Sequence, residues 1–87
     1  MAYLVKFKPS AERAFRKLPA EQRRRVAAKI EPLAGNPRPA GVELLEASER
    51  LYRVRTGDYR IIYQIQDAAL LVLVVRIGNR REIYRKL

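Results

Sequence analysis

The strongest constraint on the fold is a run of alternating apolar and polar residues in the second half of the chain. Three segments, Leu51 to Thr56, Tyr59 to Gln66 and Leu70 to Ile77, are rich in β-branched and aromatic residues and are separated by short breaks. Such segments are typical of β-strands, and breaks this short connect antiparallel neighbours. Gly57-Asp58 fits a two-residue hairpin turn, and Gln66 to Ala69 is the next reversal. The sequence therefore predicts a three-stranded antiparallel meander.

The first half of the chain predicts one further strand and two helices. The segment Tyr3 to Lys8 alternates, which predicts a strand with its aromatic residues and valine on one face. Ser10 is expected to cap a helix whose apolar residues recur at three- and four-residue spacing as far as Leu18. A second helix is predicted over Ala20 to Ala34, with Gly35 as its stop. The expected fold class is therefore α+β, with two N-terminal helices packed on one face of a four-stranded, mostly antiparallel sheet.

Composition limits the chemistry that such a domain can perform. The 87 residues are enough for a single domain, 1–87, and they include no cysteine and no histidine. Without these two residue types, any acid/base chemistry must use Lys, Arg, Tyr, Asp or Glu. The absence of cysteine is compatible with a reducing, cytoplasmic environment.

The charge of the chain indicates its partners. Nineteen Lys and Arg against nine Asp and Glu give a formal net charge of +10, which favours nucleic acid or an acidic protein as the partner. A membrane partner is not expected, because no apolar run approaches the roughly 20 residues of a spanning helix and the N-terminus lacks the pattern of a signal segment.

The hairpin register decides which side chains share a face of the sheet. With a two-residue turn, Arg55 is expected opposite Arg60 and Arg53 opposite Ile62; the other predicted pairs are Thr56 with Tyr59, Val54 with Ile61, and Tyr52 with Tyr63. The apolar members suit the helix-covered face, and the three arginines then share the open face. Opposed like charges cost a few tenths to about 1 kcal/mol, and an anion such as a phosphodiester would turn that repulsion into charge-assisted hydrogen bonding.

Two motifs resemble those of a known toxin family. The segment Leu51 to Tyr63 holds a basic strand followed by a Gly-x-Tyr-Arg-hydrophobic-hydrophobic-Tyr element, and Arg80 begins an Arg-x-x-x-Tyr element that ends at Tyr84. Together with the opening Met1-Ala2-Tyr3, these elements resemble the RelE/ParE superfamily of toxins from type II toxin–antitoxin systems, closest to its RelE-like branch. The resemblance covers nearly the whole chain and implies the RelE-like microbial RNase fold.

In the RelE-like branch, the resemblance implies a ribosome-dependent endoribonuclease that cuts mRNA in the A site and so inhibits translation, without a metal or cofactor. The implied partners are a small cognate antitoxin with an acidic segment, the ribosome and A-site mRNA, in the cytoplasm, with a toxin–antitoxin hetero-oligomer as a further expectation. Carried over by motif, the catalytic residues are Arg53, Arg55, Arg60, Arg80 and Tyr84, and the RNA-binding residues are Arg53, Arg60, Arg76, Arg81 and Tyr84.

The reaction implied is attack of the ribose 2'-hydroxyl on the adjacent phosphorus, which needs charge stabilisation, a proton acceptor and a donor for the leaving oxygen. Arginines meet the first need, and Tyr84 is expected to stack on or orient a base. The family frequently has lysine where Arg55 stands, and other members have histidine where Asn79 stands. The carboxylates of Glu43, Glu46, Glu49 and Glu82 are alternatives as bases, although scattered carboxylates in loops and at helix ends usually only solvate the surface.

A second function is compatible with the same fold. A ParE-like inhibitor of DNA gyrase would act by binding protein and would need no proton transfer, so the missing lysine and histidine favour it. The arginines on one face together with Tyr84 favour the nuclease. Nucleic-acid binding without chemistry fits the charge and leaves the motif spacing unexplained.

Overall fold

A computed structural model describes residues 2–46 and 50–80 of the chain. Two α-helices and five β-strands follow one another in this described part. They are β1 (Leu4–Phe7), α1 (Pro9–Lys17), α2 (Ala20–Ile30), β2 (Glu43–Glu46), β3 (Leu51–Thr56), β4 (Tyr59–Gln66) and β5 (Leu71–Asn79), with short 3-10 turns at Glu31–Ala34 and Asp67–Ala69.

The strands form one mixed sheet in the order β1-β5-β4-β3-β2. Strand β1 runs parallel to β5, and the other neighbours are antiparallel, which confirms the predicted antiparallel meander of β3, β4 and β5. The sheet has five strands where four are expected, because the sequence pattern does not predict β2. Two of the four residues of β2 are glutamates, which have little preference for strands, and the strand exists because Glu43 and Leu44 pair with Arg53 and Tyr52 of β3.

The predicted hairpin register between β3 and β4 is confirmed at all five pairs, with Arg55 opposite Arg60. Gly57 opens the turn with a φ of +59°, a conformation that costs glycine little. The third strand of the meander differs from its expected bounds at both ends. It begins after Leu70, which has a left-handed φ of +49°, and it continues through Gly78 and Asn79, which pair with β4 instead of forming a bend.

Prolines set the helix boundaries more strongly than the sequence analysis allows. Helix α1 begins at Pro9, with Lys8 as its cap, so Ser10 lies inside the first turn and is not the N-cap. Proline suits the first helical position, because its missing N–H would have no intrahelical partner there. Helix α2 ends at Ile30, short of the predicted Ala34, since Pro32 cannot donate the next helical hydrogen bond and the chain tightens into a 3-10 turn.

The core lies between the helices and one face of the sheet. As predicted, the alternation of β1 places Tyr3, Val5 and Phe7 against this core. The side chains buried in it are Ala11, Val26, Ile30 and Leu33 from the helical half and Val54, Ile61, Tyr63, Ile65, Val72, Val74 and Ile77 from the sheet. The opposite face of the sheet is therefore the place where charged residues can gather.

A polar network fastens the loop after α2 to the turn between β4 and β5. The carboxylate of Asp67 accepts hydrogen bonds from Arg38 Nη1 and Nη2 at 3.2 and 2.8 Å and from the Tyr3 hydroxyl at 2.6 Å. The Arg38 guanidinium also donates from Nε to the Tyr52 hydroxyl at 3.2 Å. The hydrogen bonds from Arg38, and then the one from Tyr3, lower the pKa of Asp67 to about 2.

We expect Asp67→Asn to lower the midpoint of thermal unfolding at pH 7 by a few degrees, because the amide cannot accept the same charge-assisted bonds from Arg38. A carboxyl group with a depressed pKa stabilises the fold above its unfolded pKa, about 4, and loses this effect as the pH falls through its folded pKa. The difference between wild type and variant should therefore be present at neutral pH and shrink between pH 4 and pH 2. Thermal melts across this pH range measure the difference. Glu12→Gln is the control, because Glu12 forms an exposed ion pair with Arg16 on helix α1.

Candidate nucleic-acid interface

Four of the predicted arginines lie on the sheet face that points away from the helices. Residues paired across antiparallel strands share a face, and Arg55 pairs with Arg60 while Arg53 pairs with Ile62. Arg76 of β5 pairs with Ile62 from the other side and therefore belongs to the same face. Ile62 itself is fully buried, so this face is covered at its centre and is less open than the sequence analysis expects.

Arg60 is the least exposed of these arginines. It retains 7% of its accessible surface, and its Nη1 donates to the carbonyls of Gly57 and Tyr59 at 3.0 and 3.1 Å. On β5, the residue that pairs with Arg60 is Gly78, which has no side chain. The hairpin turn thus holds Arg60 in place next to Arg55, although the two cations repel each other.

Arg80 is held next to these arginines by a backbone hydrogen bond. Its N–H donates to the carbonyl of Asp58 at 2.7 Å, which fixes the end of β5 against the hairpin turn. Burial lowers the pKa of Arg60, and repulsion from Arg55, Arg53 and Arg80 lowers it further. The four residues Arg53, Arg55, Arg60 and Arg80, called the arginine cluster below, therefore act on one another electrostatically.

A carboxylate that the sequence analysis placed in a loop also belongs to this face. Glu43 opens β2, pairs with Arg53 in register, and accepts a hydrogen bond at Oε2 from Arg53 Nη2. This bond lowers the pKa of Glu43, and the charges of Arg53, Arg55 and Arg60 lower it further. The interpretation of Glu43 as a scattered loop residue is wrong, because its strand arises from pairing with β3 and its own sequence shows no alternation.

One hollow in the described part of the chain is lined by a member of the arginine cluster. A hollow of about 500 Å³ lies on another side, between α2 and β3, where Arg25, Lys29 and Pro32 face Val54 and Arg55. Arg55 is the one member of the cluster that reaches this hollow. An extended polyanion that follows the hairpin would meet Arg53, Arg55 and Arg60, which lie on one face of β3 and β4.

The comparisons with known proteins agree in fold and family. The family model for the ParE toxin of the type II toxin–antitoxin system parDE matches residues 5–84. The chain belongs to this family of toxins. Toxin RelG of Mycobacterium tuberculosis is 33% identical over 99% of this chain and 100% of RelG. The mRNA interferase toxin RelE of Escherichia coli K12 is 30% identical over 97% of this chain and 92% of that toxin.

A solved structure gives the same result. The archaeal RelE–RelB complex from Pyrococcus horikoshii OT3 contains a chain that superposes with a TM-score of 0.82 and 30% identity, over 94% of this chain and 99% of the other. Because its named relatives are RelE and RelG toxins, this RelE/ParE toxin falls in the RelE-like branch, as the motifs predict. None of the helices in the described part of the toxin is long and apolar enough to cross a membrane.

Two of the predicted site residues, Arg81 and Tyr84, lie outside the described residues, as do Glu49 and Glu82. Their roles stay predictions. Within the described part, the fold of this RelE-like toxin brings together the catalytic arginines expected from the motifs and adds Glu43. The catalytic and RNA-binding roles of all these residues also remain to be tested.

We expect an oxyanion to bind the arginine cluster and to stabilise the toxin. Inorganic phosphate should raise the midpoint of thermal unfolding more than chloride does at equal ionic strength, because ligand binding to the folded state shifts the equilibrium. Arg55→Ala should remove much of this gain. Arg16→Ala, at an exposed position on helix α1, should keep the gain and serves as the control for general salt effects. An equal gain in both variants would show that no anion site exists at the cluster.

Proposed function

We propose that this RelE-like toxin is a ribosome-dependent endoribonuclease that inhibits translation by cutting mRNA in the ribosomal A site. The reaction is metal-independent attack of the ribose 2'-hydroxyl on the adjacent phosphorus, which leaves a 2',3'-cyclic phosphate or its opened product and a free 5'-hydroxyl. The observation that carries the proposal is the convergence of Arg53, Arg55 and Arg60 on one sheet face, with Arg80 beside the hairpin turn and Arg60 held in place by turn carbonyls.

The arginine cluster suits the charge that develops in this reaction. The transition state places extra negative charge on the non-bridging oxygens, and preorganised donors in a partly dry site stabilise it most. Arg53 and Arg60 are assigned to these oxygens, and Arg55 adds charge beside them. Arg80, beside the turn, supports the leaving 5'-oxygen. Tyr84 is assigned to stacking on a base, and Arg76 and Arg81 to RNA backbone contacts.

A role for the ribosome follows from the geometry that the reaction requires. In-line attack requires the 2'-oxygen, the phosphorus and the leaving oxygen to be aligned, and a flexible RNA strand bound only through its phosphates is not held in that geometry. A decoding site that holds the message in a fixed, bent path would supply the alignment. The toxin then contributes charge stabilisation to a substrate that another structure orients.

We expect the purified toxin to cut mRNA on programmed ribosomes and to leave naked RNA largely intact. Chelation of free metal should not change the cleavage rate once the ribosomes are assembled. Arg60→Ala and Arg80→Ala should each lower the single-turnover rate about a hundredfold to a thousandfold, the usual effect of removing one preorganised charge stabiliser. Primer extension measures cleavage by each variant, and thermal melts show whether the variant is still folded. Arg16→Ala on helix α1 is the matched control and should cut at the wild-type rate.

A second function has one observation in its favour. The arginine cluster consists of guanidinium groups, which are poor proton carriers, and the chain has no histidine. A ParE-like inhibitor of DNA gyrase would need no group that moves a proton. If the toxin blocks gyrase supercoiling at stoichiometric amounts and leaves ribosome-bound mRNA uncut, this alternative is correct. The arginines are then contacts to a protein partner.

A cognate antitoxin is the partner proposed for the cytoplasmic toxin, as a hetero-oligomer. The structural relative from Pyrococcus horikoshii is a RelE–RelB complex, and a chain with a formal charge of +10 favours an acidic partner segment. We expect the product of the adjacent gene to carry an acidic amphipathic segment, to bind the toxin and to raise its unfolding midpoint by mass action. Calorimetric titration and co-expression measure this. Absence of binding together with harmless expression of the toxin alone would contradict the expectation.

A further inference from the structure

We propose that Glu43 is the proton acceptor for the 2'-hydroxyl in the cleavage reaction. The inference rests on the proposed nuclease function and supplies the group that the arginines cannot provide. A guanidinium with a pKa above about 12 stays protonated and is a poor base, and the chain has no histidine. A carboxylate close to the arginine cluster is ionised at neutral pH and can accept the proton, whereas lysine and tyrosine are normally protonated there.

Glu43 lies at the rim of the cluster with the required access. Its Oε2 accepts from Arg53 Nη2, while its side chain remains 49% exposed; the Arg53 side chain is 18% exposed. No hydrogen bond falls on Oε1 of Glu43 within the described part of the chain. The carboxylate is thus fixed by one oxygen and can accept a substrate proton at the other.

The pairing of Glu43 with Arg53 suits the geometry of the substrate. The 2'-oxygen and the phosphorus that it attacks are linked through the 3'-oxygen of one ribose and stand about 3 Å apart in a reactive arrangement. If Arg53 donates to a non-bridging phosphate oxygen, a carboxylate that is hydrogen-bonded to the same guanidinium is within reach of the neighbouring 2'-hydroxyl. One Arg–Glu pair can then serve both the phosphate and the nucleophile.

Other carboxylates of the described part are placed less well. Asp67 is held in the network with Arg38 and Tyr3 near the β4–β5 turn, and Glu12 and Glu21 pair with arginines on helices. Asp58, in the exposed hairpin turn, is the nearest competitor, since its charge acts on Arg60. Glu43 differs from Asp58 because it is hydrogen-bonded to a member of the cluster.

The arrival of the phosphate would also strengthen Glu43 as a base. In the free protein the pKa of Glu43 is lowered, first by its hydrogen bond to Arg53 and then by the charges of Arg53, Arg55 and Arg60. A bound phosphodiester shares these cations and adds a negative charge of its own. Both changes raise the pKa of Glu43 again, so the carboxylate becomes more basic when substrate is bound.

The atoms balance in one displacement. Glu43 Oε1 takes the proton of the 2'-hydroxyl as the O2'–P bond forms, the P–O5' bond breaks, and a water molecule protonates the 5'-oxygen. The protonated carboxyl then releases its proton to solvent, which restores the starting state. No oxidation, reduction or metal takes part in these steps.

The test is the rate of Glu43→Gln on programmed ribosomes at saturating toxin. The glutamine carbonyl still accepts from Arg53 but cannot take a proton, so the single-turnover rate should fall about a hundredfold to ten-thousandfold with little change in KM or unfolding midpoint. Glu43→Asp should recover part of the rate. Glu12→Gln, which changes the same charge in an exposed Arg pair, should cut like wild type.

Two further measurements distinguish a base from a structural role. The wild-type rate should rise with pH through the titration of Glu43, which faces Arg53, Arg55 and Arg60, and Glu43→Gln should lack this dependence. On mRNA with sulfur in place of the bridging 5'-oxygen, the leaving group needs no proton, and Glu43→Gln should remain slow. Recovery of the wild-type rate on this substrate would overturn the proposal, because Glu43 would then serve the leaving group.

Failure of this inference can be told from failure of the proposed function. If wild type and Glu43→Gln cut equally well, or if Asp58→Asn loses the rate while Glu43→Gln keeps it, Glu43 is not the acceptor and the nuclease function stands. If wild-type toxin leaves ribosome-bound mRNA intact, both the nuclease function and the role of Glu43 are wrong.

Discussion

The two-residue turn at Gly57 and Asp58 sets the register of β3 against β4, and the two faces of the sheet follow from that register. A shift of one residue would exchange the faces of every side chain in a strand. With the observed pairing, Val54 and Ile61 enter the core under the helices, while Arg55 and Arg60 meet on the other side. The core and the arginine cluster therefore depend on the same backbone hydrogen bonds.

Opposed arginines in a sheet are unfavourable, and the structure shows how the fold tolerates them. Arg60 donates to two carbonyls of its own turn, and Arg53 is paired with the carboxylate of Glu43. These contacts reduce the repulsion without removing the positive charge. The remaining charge favours an anion on this face, which links a local conflict in the fold to the function proposed for it.

The charged groups of the Asp67 network are separate from those of the arginine cluster. The network around Asp67 joins Arg38, Tyr3 and the turn between β4 and β5, at the end of β4 away from the hairpin turn. Tyr63 adds a buried hydrogen bond from its hydroxyl to the Pro37 carbonyl at 2.7 Å. Because these contacts hold the loop after α2, substitutions in the arginine cluster can change binding while the network is kept.

The sequence by itself determined the features that depend on local pattern. Alternation and a glycine turn were enough to place Arg55 opposite Arg60, and periodic apolar residues were enough to place two helices before the meander. Proline effects were readable in principle and were underestimated at Pro9 and Pro32. The motifs were also sufficient to recognise the toxin family that the comparisons show.

Tertiary structure decided the features that depend on contacts between distant segments. Strand β2 forms because β3 offers it a partner, so the position of Glu43 beside Arg53 could not be found from spacing along the chain. Arg60 donates to turn carbonyls and lies opposite Gly78 of a third strand, and this strand is distant in sequence. Local sequence fixes backbone preference and periodicity, whereas the partners of a charged side chain are fixed only when strands far apart in sequence are brought together.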